Sequence, residues 1–324
     1  MPECRIILDT PGVISAGGII TGKVICNFSS DVPIREIRCN FKGKEKTRIR
    51  RGKHTYFGKN VLVDQTQIVA EEGTVPKGIY EFNFTFDVPR QIPSSFSGKS
   101  GWVFYYVKAI VDRPLMIDYK HKITLEMSSP LDFNMMREKL QLTPVVYEKD
   151  KTLCCCCCAS EPITMSLHLE KEAFVVGETA RIVVEIVNMS NTNVEELEVS
   201  LTRIIECFSE KKGMRSEKVK DVLGVERGSG IGAHGRGTYR INFLIPPTIE
   251  VHNFDNCQLI KEQFRFTAEA MLPDIHRNFS TYAVVTLGHI PLTNAQNVPP
   301  EYLGIQVHDA ERLPHVSDNS CVIV

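Results

Sequence analysis

The residues best suited to chemistry or recognition are gathered in a few short stretches. Pro299-Pro300-Glu301-Tyr302 has the PPxY form that WW domains read. Two prolines fix φ and favour polyproline II, so little chain entropy is lost on docking into an aromatic groove. Tyr302, three positions after Pro299, returns to the same face of a three-residue-per-turn helix and can fill a second pocket. Cys154, Cys155, Cys156, Cys157 and Cys158 run consecutively. Neighbouring cysteines point apart and cannot close a tetrahedron around zinc as C-x2-C pairs do, so no metal site is assigned. Two readings stay open: a strand in which Cys acts as a small hydrophobe, or S-acylated thiols that press the chain onto a membrane. At the end, Cys321-Val-Ile-Val324 fits C-a-a-X in form, although Val is an atypical last residue and no polybasic stretch precedes it. The same residues could serve as a carboxylate-terminal ligand for a PDZ groove, or be inert.

A basic segment offers a different kind of site. Lys42, Lys44, Lys46, Arg48, Arg50, Arg51 and Lys53 stand against Glu45 alone. One reading is a solvated hairpin whose charges keep a sheet edge soluble. The other is a docking surface for anionic lipid heads or phosphate groups through charge-assisted contacts. Catalysis has no such support. Gly230-Ile-Gly232-Ala-His-Gly235 matches G-x-G-x-x-G in form, but the β-type run TYRINFLIP follows where a dinucleotide site needs a helix. There is no HExxH, P-loop or nucleophile elbow, the histidines are dispersed, and Trp102 reads as a packed aromatic. No catalytic residue and no cofactor are assigned, and the expectation is a protein that is not an enzyme.

The elements that must position these stretches are strands. Tyr80, Phe82, Phe84 and Phe86 alternate with Glu81, Asn83 and Thr85, and Ile37, Cys39 and Phe41 alternate with Arg38 and Asn40. Residues 103–111, VFYYVKAIV, carry the β-branched and aromatic density of a central strand. Only FNMMREKLQL, 133–142, looks helical. The pattern also repeats. Gly17 matches Gly177, Asn27-Phe-Ser29 matches Asn188-Met-Ser190, and Ile37/Cys39/Phe41 match Leu197/Val199/Leu201, at an offset of about 160 residues. YEFNFTFDVP (80–89) is answered in the same order by YRINFLIP (239–246). Short strands separated by Gly, Pro, Asn and Asp predict a duplicated antiparallel sandwich, all-β, with the join near residues 145–162.

Bulk properties are consistent with two domains. The chain has 324 residues, a net charge of −1, 24% charged and 43% hydrophobic residues, which is ordinary for a folded globular protein. A near-neutral total argues against a whole-molecule field for nucleic acid. The sequence starts without a basic segment leading into an apolar core, and no apolar run approaches the roughly 20 residues that span a bilayer. Eleven cysteines, five of them consecutive, fit a reduced, cytoplasmic setting better than a disulfide framework. In that setting the sequons at Asn27, Asn83, Asn188 and Asn278 carry no information.

PGVISAGGIITGKV followed by GIYEFNFTFDVPRQIPSSFSGKSGWVFYYVKAIVDRP resembles the arrestin N-domain, with its aromatic strand, Pro89 turn, loop 93–96 and strand ending Asp112-Arg113-Pro114. GETARIVVEIVNMSN with LIPPTIEVHNFDNCQLIKEQFRFTAEA and the LGHIPL ending at 287–292 resembles the arrestin C-domain. The likeness covers roughly residues 5–292, and the lack of a clathrin-box-like or adaptin-binding tail motif and of an amphipathic helix in the N-domain makes it most similar to the α-arrestins. It implies two immunoglobulin-like antiparallel β-sandwiches in tandem: an N-domain at 1–145, a Cys-rich linker at 146–162, a C-domain at 163–292 and a flexible tail at 293–324. It further implies a trafficking adaptor that joins transmembrane cargo to a WW-domain ubiquitin ligase of the HECT type, peripheral at plasma membrane and endosomes. The alternative is a ligase-independent transport scaffold of retromer-like kind, binding partners through its sandwich surfaces.

Overall fold

Period-two alternation becomes strand almost everywhere that it occurs. The computed structural model describes residues 4–9, 12–155, 158–210, 215–273, 276–293 and 306–309. The chain divides into two compact units. The first consists of Met1–Leu131 with two later segments, Ile204–Lys220 and Glu250–Glu262; the second consists of Asp132–Arg203, Asp221–Ile249 and Gln263–Val324.

In the first half the strands are β1 (Cys4–Leu8), β2 (Val13–Ser15), β3 (Ile19–Phe28), β4 (Val32–Ile34), β5 (Glu36–Arg51), β6 (His54–Ala70), β7 (Gly73–Val75), β8 (Gly78–Asp87), β9 (Phe96–Ser97), β10 (Gly101–Asp112) and β11 (Tyr119–Ser128). They form a three-stranded sheet, β1-β3-β8, and a larger one, β2-β11-β10-β5-β6, with β9 beside β10 and a small β4-β7 pair. Phe84 and Phe86 of β8 are buried with Phe41 of β5 and Tyr105 of β10. Phe41 meets Phe86 at 6.0 Å and Phe84 meets Phe86 at 5.7 Å, both tilted, within the range where ring pairs attract. The hydroxyl of Tyr105 is fully buried and donates to the Pro93 carbonyl at 2.7 Å. Beneath this ring lies Gly43, where any Cβ would run into the aromatic carbons of Tyr105.

In the second half the strands are β12 (Val145–Lys151), β13 (Cys154–Cys155), β14 (Cys158–Ala159), β15 (Ile163–Leu169), β16 (Ala173–Val175), β17 (Thr179–Asn188), β18 (Val194–Phe208), β19 (Ser216–Ile231), β20 (Arg236–Leu244), β21 (Ile260–Met271), β22 (Phe279–Gly288) and β23 (Gln306–Asp309). Their sheets run β20-β17-β15-β12-β23 and β16-β22-β21-β18-β19. Phe266 packs edge-on against Phe243 at 5.1 Å and Phe174 at 6.1 Å to centre the core.

The duplication read from sequence is a duplication of topology. β1-β3-β8 is repeated as β15-β17-β20, and β2-β11-β10-β5-β6 as β16-β22-β21-β18-β19. Each copy contains one short parallel pairing, β2 on β11 and β16 on β22. Each is followed by a glycine in the left-handed region, Gly17 at φ 76° and Gly177 at φ 83°, where a side chain would be strained. Gly17 N–H donates to Pro89 and Gly177 N–H to Ile245, so the matched glycines close matched turns.

Local departures from the sequence reading have physical causes. FNMMREKLQL forms only two single-turn 3-10 helices, Phe133–Met135 and Arg137–Lys139; its apolar residues do not sustain a helical stripe long enough to propagate. Residues 145–151, which sequence placed at the join, form β12 and pair antiparallel with β15, Val145 opposite Leu169. The candidate dinucleotide loop is the turn between β19 and β20, and the Gly232 carbonyl accepts from Asn188 Nδ2 at 3.1 Å. Asn188, fully buried, also donates to Thr192 O and accepts from the backbone and hydroxyl of Ser190.

This side chain satisfies backbone groups of two turns, β17–β18 and β19–β20, so Asn188→Ala should destabilise the protein by about 2 kcal/mol, since partners left without a hydrogen bond cost about 1–3 kcal/mol. Chemical denaturation is the check, and an unchanged midpoint would show that water replaces the amide.

Candidate functional site

Strand β5 carries two different faces because successive side chains point to opposite sides of a sheet. Ile37, Cys39, Phe41, Glu45, Thr47 and Ile49 are buried on one side. Lys42, Lys44, Lys46, Arg48 and Arg50 stand on the other. The basic segment is one arm and the turn of the β5–β6 hairpin, with Arg51 opposite His54, but it is not a sheet edge: β5 lies between β10 and β6, and its charges decorate a sheet face. Arg51 and Lys53 leave that face at the β5–β6 turn, where Arg51 donates to Ser216 O at 3.0 Å.

Neighbouring strands extend the pattern. Lys44 is opposite Phe104, Lys46 opposite Trp102 and Lys42 opposite Tyr106 on β10. The ammonium of Lys46 lies 5.2 Å from the Phe104 ring centre, and those of Lys44 and Lys122 lie 5.6 and 4.2 Å from Tyr106. Such contacts with a ring quadrupole hold a cation in place without neutralising it. Lys46 faces Lys59 directly across β6, and Lys108 faces Lys122 directly across β11. Lys42 pairs with Asp64 at 3.0 Å, but among the described residues Lys44, Lys46, Lys59, Lys108 and Lys122 have no carboxylate within ion-pair distance. Interleaved with them are Phe57, 64% exposed, and Val61, 50% exposed. At one side Lys46, Phe96, Trp102, Phe104, Thr124 and Glu126 line an open cavity of about 500 Å³. Trp102, read from sequence as core, is one of its walls.

Between the outward lysines, Glu45 points inward and has no solvent exposure. Its carboxylate accepts from the backbone amides of Leu259 at 2.8 Å and Gln258 at 3.0 Å, and from Asn60 Nδ2 at 3.3 Å. One residue pair further on, Thr47 Oγ1 donates to Phe208 O at 2.6 Å. Ser100 Oγ donates to Glu217 at 2.7 Å, and this bond, with Lys99 next to it, lowers the Glu217 carboxyl from its ordinary value. These bonds, all within the first unit, lock the far half of β5 and hence the lysines on its reverse.

The other candidates from sequence are scattered. Cys154–Cys155 and Cys158–Ala159 pair as β13 and β14, and the base of that hairpin is closed by Ser160 N–H to Leu153 O at 2.9 Å and Leu153 N–H to Ser160 Oγ at 3.1 Å. Cys156, Cys157, Pro299, Pro300, Tyr302, Cys321 and Val324 lie outside the described residues. Among the described residues no group of His, Cys, Asp or Glu could hold a metal, and no helix is long and apolar enough to cross a membrane. Lys59, Lys108 and Lys122 were missed because they lie outside the basic run and join it only through strand pairing.

Two family profiles match the chain in order. The one described as "Arrestin (or S-antigen), N-terminal domain" covers residues 4–134, and "Arrestin (or S-antigen), C-terminal domain" covers 159–292. The chain belongs to the arrestin family. It is of the α-arrestin type, similar to arrestin domain-containing protein 4 of Homo sapiens, 25% identical over 300 residues covering 87% of this chain and 70% of the relative. It is 24% identical to arrestin domain-containing protein 5 of Bos taurus over 284 residues, 83% of this chain and 85% of the relative. For arrestin domain-containing protein 1 of Mus musculus the identity is 22% over 263 residues, 81% of this chain and 59% of the relative. Arrestin-family proteins are non-enzymatic adaptors, and an arrestin-like adaptor role in trafficking follows for this α-arrestin.

Two outcomes follow from the site's geometry. Glu45→Leu leaves two backbone amides without an acceptor and should cost about 3 kcal/mol in denaturant titration; an unchanged stability would show that the carboxylate does not hold β5. Burial, the largest cause in each case, pushes the Cys39 and Cys207 thiols up to about 12, and the thiolate is the reactive form. Iodoacetamide at neutral pH should therefore spare both in the native protein and label both after unfolding, as read by peptide mass mapping.

Proposed function

We propose that this α-arrestin joins membrane-protein cargo to a WW-domain ubiquitin ligase of the HECT type, promoting ubiquitination and sorting of the cargo. It acts from the cytoplasmic side, peripherally at plasma membrane and endosomes. The observation that carries this reading is Pro299-Pro300-Glu301-Tyr302, a PPxY motif placed just beyond residue 292, where the family match ends. In this arrangement the sandwiches engage cargo and the motif engages the ligase, so one chain brings enzyme and substrate to a shared effective concentration. The prolines preorganise the segment and Tyr302 supplies the second anchor. A single motif binds without the avidity of a tandem, so its affinity rests on these few side chains. Acylation of thiols in the Cys154–Cys158 run would add membrane residence to the same role.

The experiment is binding of the full chain to a panel of WW domains, wild type against Tyr302→Ala. Wild type should bind with a Kd on the order of micromolar, and the substitution should abolish binding while thermal unfolding stays unchanged. If binding survives the substitution, the motif has no part in the mechanism. If wild type binds no WW domain, and a variant lacking residues 293–324 keeps its cargo, a ligase-independent scaffold takes its place.

A further inference from the structure

Like charges directly opposite one another on adjacent strands destabilise a sheet. The first unit nevertheless sets Lys46 against Lys59 and Lys108 against Lys122 on one face. Carboxylates near this face are engaged elsewhere: Asp64 by Lys42, Glu36 and Asp112 by Arg38, and Asp118 by Lys120. Glu126 stands at the cavity rim without an ion pair. The facing lysines thus have no carboxylate in ion-pair contact among the described residues, and an external anion would relieve their repulsion.

The chemistry of the face indicates which anion. Its cations reach across four strands, β11, β10, β5 and β6, a width of about 15 Å at the usual strand spacing. Most of them are lysine ammoniums, compact point charges, while the guanidinium forks, which grip a single phosphate in two directions, stand only at the hairpin end as Arg48 and Arg50. Between them Phe57 and Val61 project apolar surface into solvent, and the Phe104 and Tyr106 rings lie under the ammoniums. A narrow acidic peptide would leave much of this area wet. A bilayer surface covers all of it at once, with headgroup charge over the lysines and the acyl boundary for the apolar side chains.

We propose that the outer face of β11-β10-β5-β6 is a docking surface for an anionic lipid bilayer, with Lys44, Lys46, Lys59, Lys108 and Lys122 meeting headgroups and Phe57 and Val61 entering the interface. This goes beyond the ligase-adaptor reading and does not depend on it, since the PPxY motif takes no part. The attraction acts within a Debye length, so binding falls as salt rises.

The experiment is co-sedimentation of the full chain with vesicles of phosphatidylcholine alone and of phosphatidylcholine mixed with phosphatidylserine. The variants are Lys46→Glu combined with Lys122→Glu, Phe57→Ser, and Lys139→Glu as an exposed basic control outside this face. Wild type and Lys139→Glu should sediment with the anionic vesicles only. The double reversal should lower the bound fraction by about tenfold or more, and Phe57→Ser should weaken binding by a smaller factor. Thermal unfolding and WW-domain binding of each variant should stay at wild-type values, which separates failure of this surface from failure of the tail motif. Equal binding by wild type and the double reversal overturns the proposal. So does an absence of vesicle binding, including the case where an immobilised phosphopeptide is bound instead and lost on charge reversal.

Discussion

A carboxylate with no access to water is costly unless its oxygens are filled with hydrogen bonds. Glu45 meets that condition with the amides of Gln258 and Leu259 and the side chain of Asn60. Asn60 sits opposite Glu45 on β6, whereas Gln258 and Leu259 come from a segment far away in sequence, held against the inner side of β5 as part of the first unit. The outward lysines inherit their positions from this inward anchor. Without it, the far half of a 16-residue strand would carry its charges on a frayed end. The cation face and the buried carboxylate are two sides of one strand, and neither is intelligible alone.

The repeated topology shows how a weak sequence signal can carry strong structural content. Gly17 and Gly177, Asn27 and Asn188, and the alternating apolar triplets have little force singly. Their shared order arises because each copy needs the same sequence of devices: a short parallel pairing, a left-handed glycine, a long antiparallel strand and an aromatic return strand. Alternation also identified the buried faces of β5 and β8, since burial on one side of a pleat is a local property of the sequence.

What depends on long-range pairing was not legible. Nothing in the residues around 204–220 or 250–262 announces that they join the first unit, because unit membership is set by packing and not by period. Lys108 and Lys122 lie in separate strands outside the basic run, and only the strand pairing of β5, β10 and β11 brings them together with it. Trp102 looked like core because its neighbours are apolar, yet it has the parity of Phe104 and lines the open cavity. The single glutamate in the basic run read as a diluted charge, whereas its odd position sends it into the interior. The proposed tail motif rests on the opposite kind of signal: a proline-based ligand is defined by its own few residues and needs no long-range pairing.

Parity also determines which changes this protein can survive. Along β5 the outward residues can be exchanged one at a time with little consequence for folding. Insertion or deletion of a single residue between Lys42 and Glu45 is a different event. It would turn Glu45 outward and bring lysines under the Tyr105 ring and against the amides of Gln258 and Leu259. Length in this strand is therefore expected to be invariant among descendants even where composition is not.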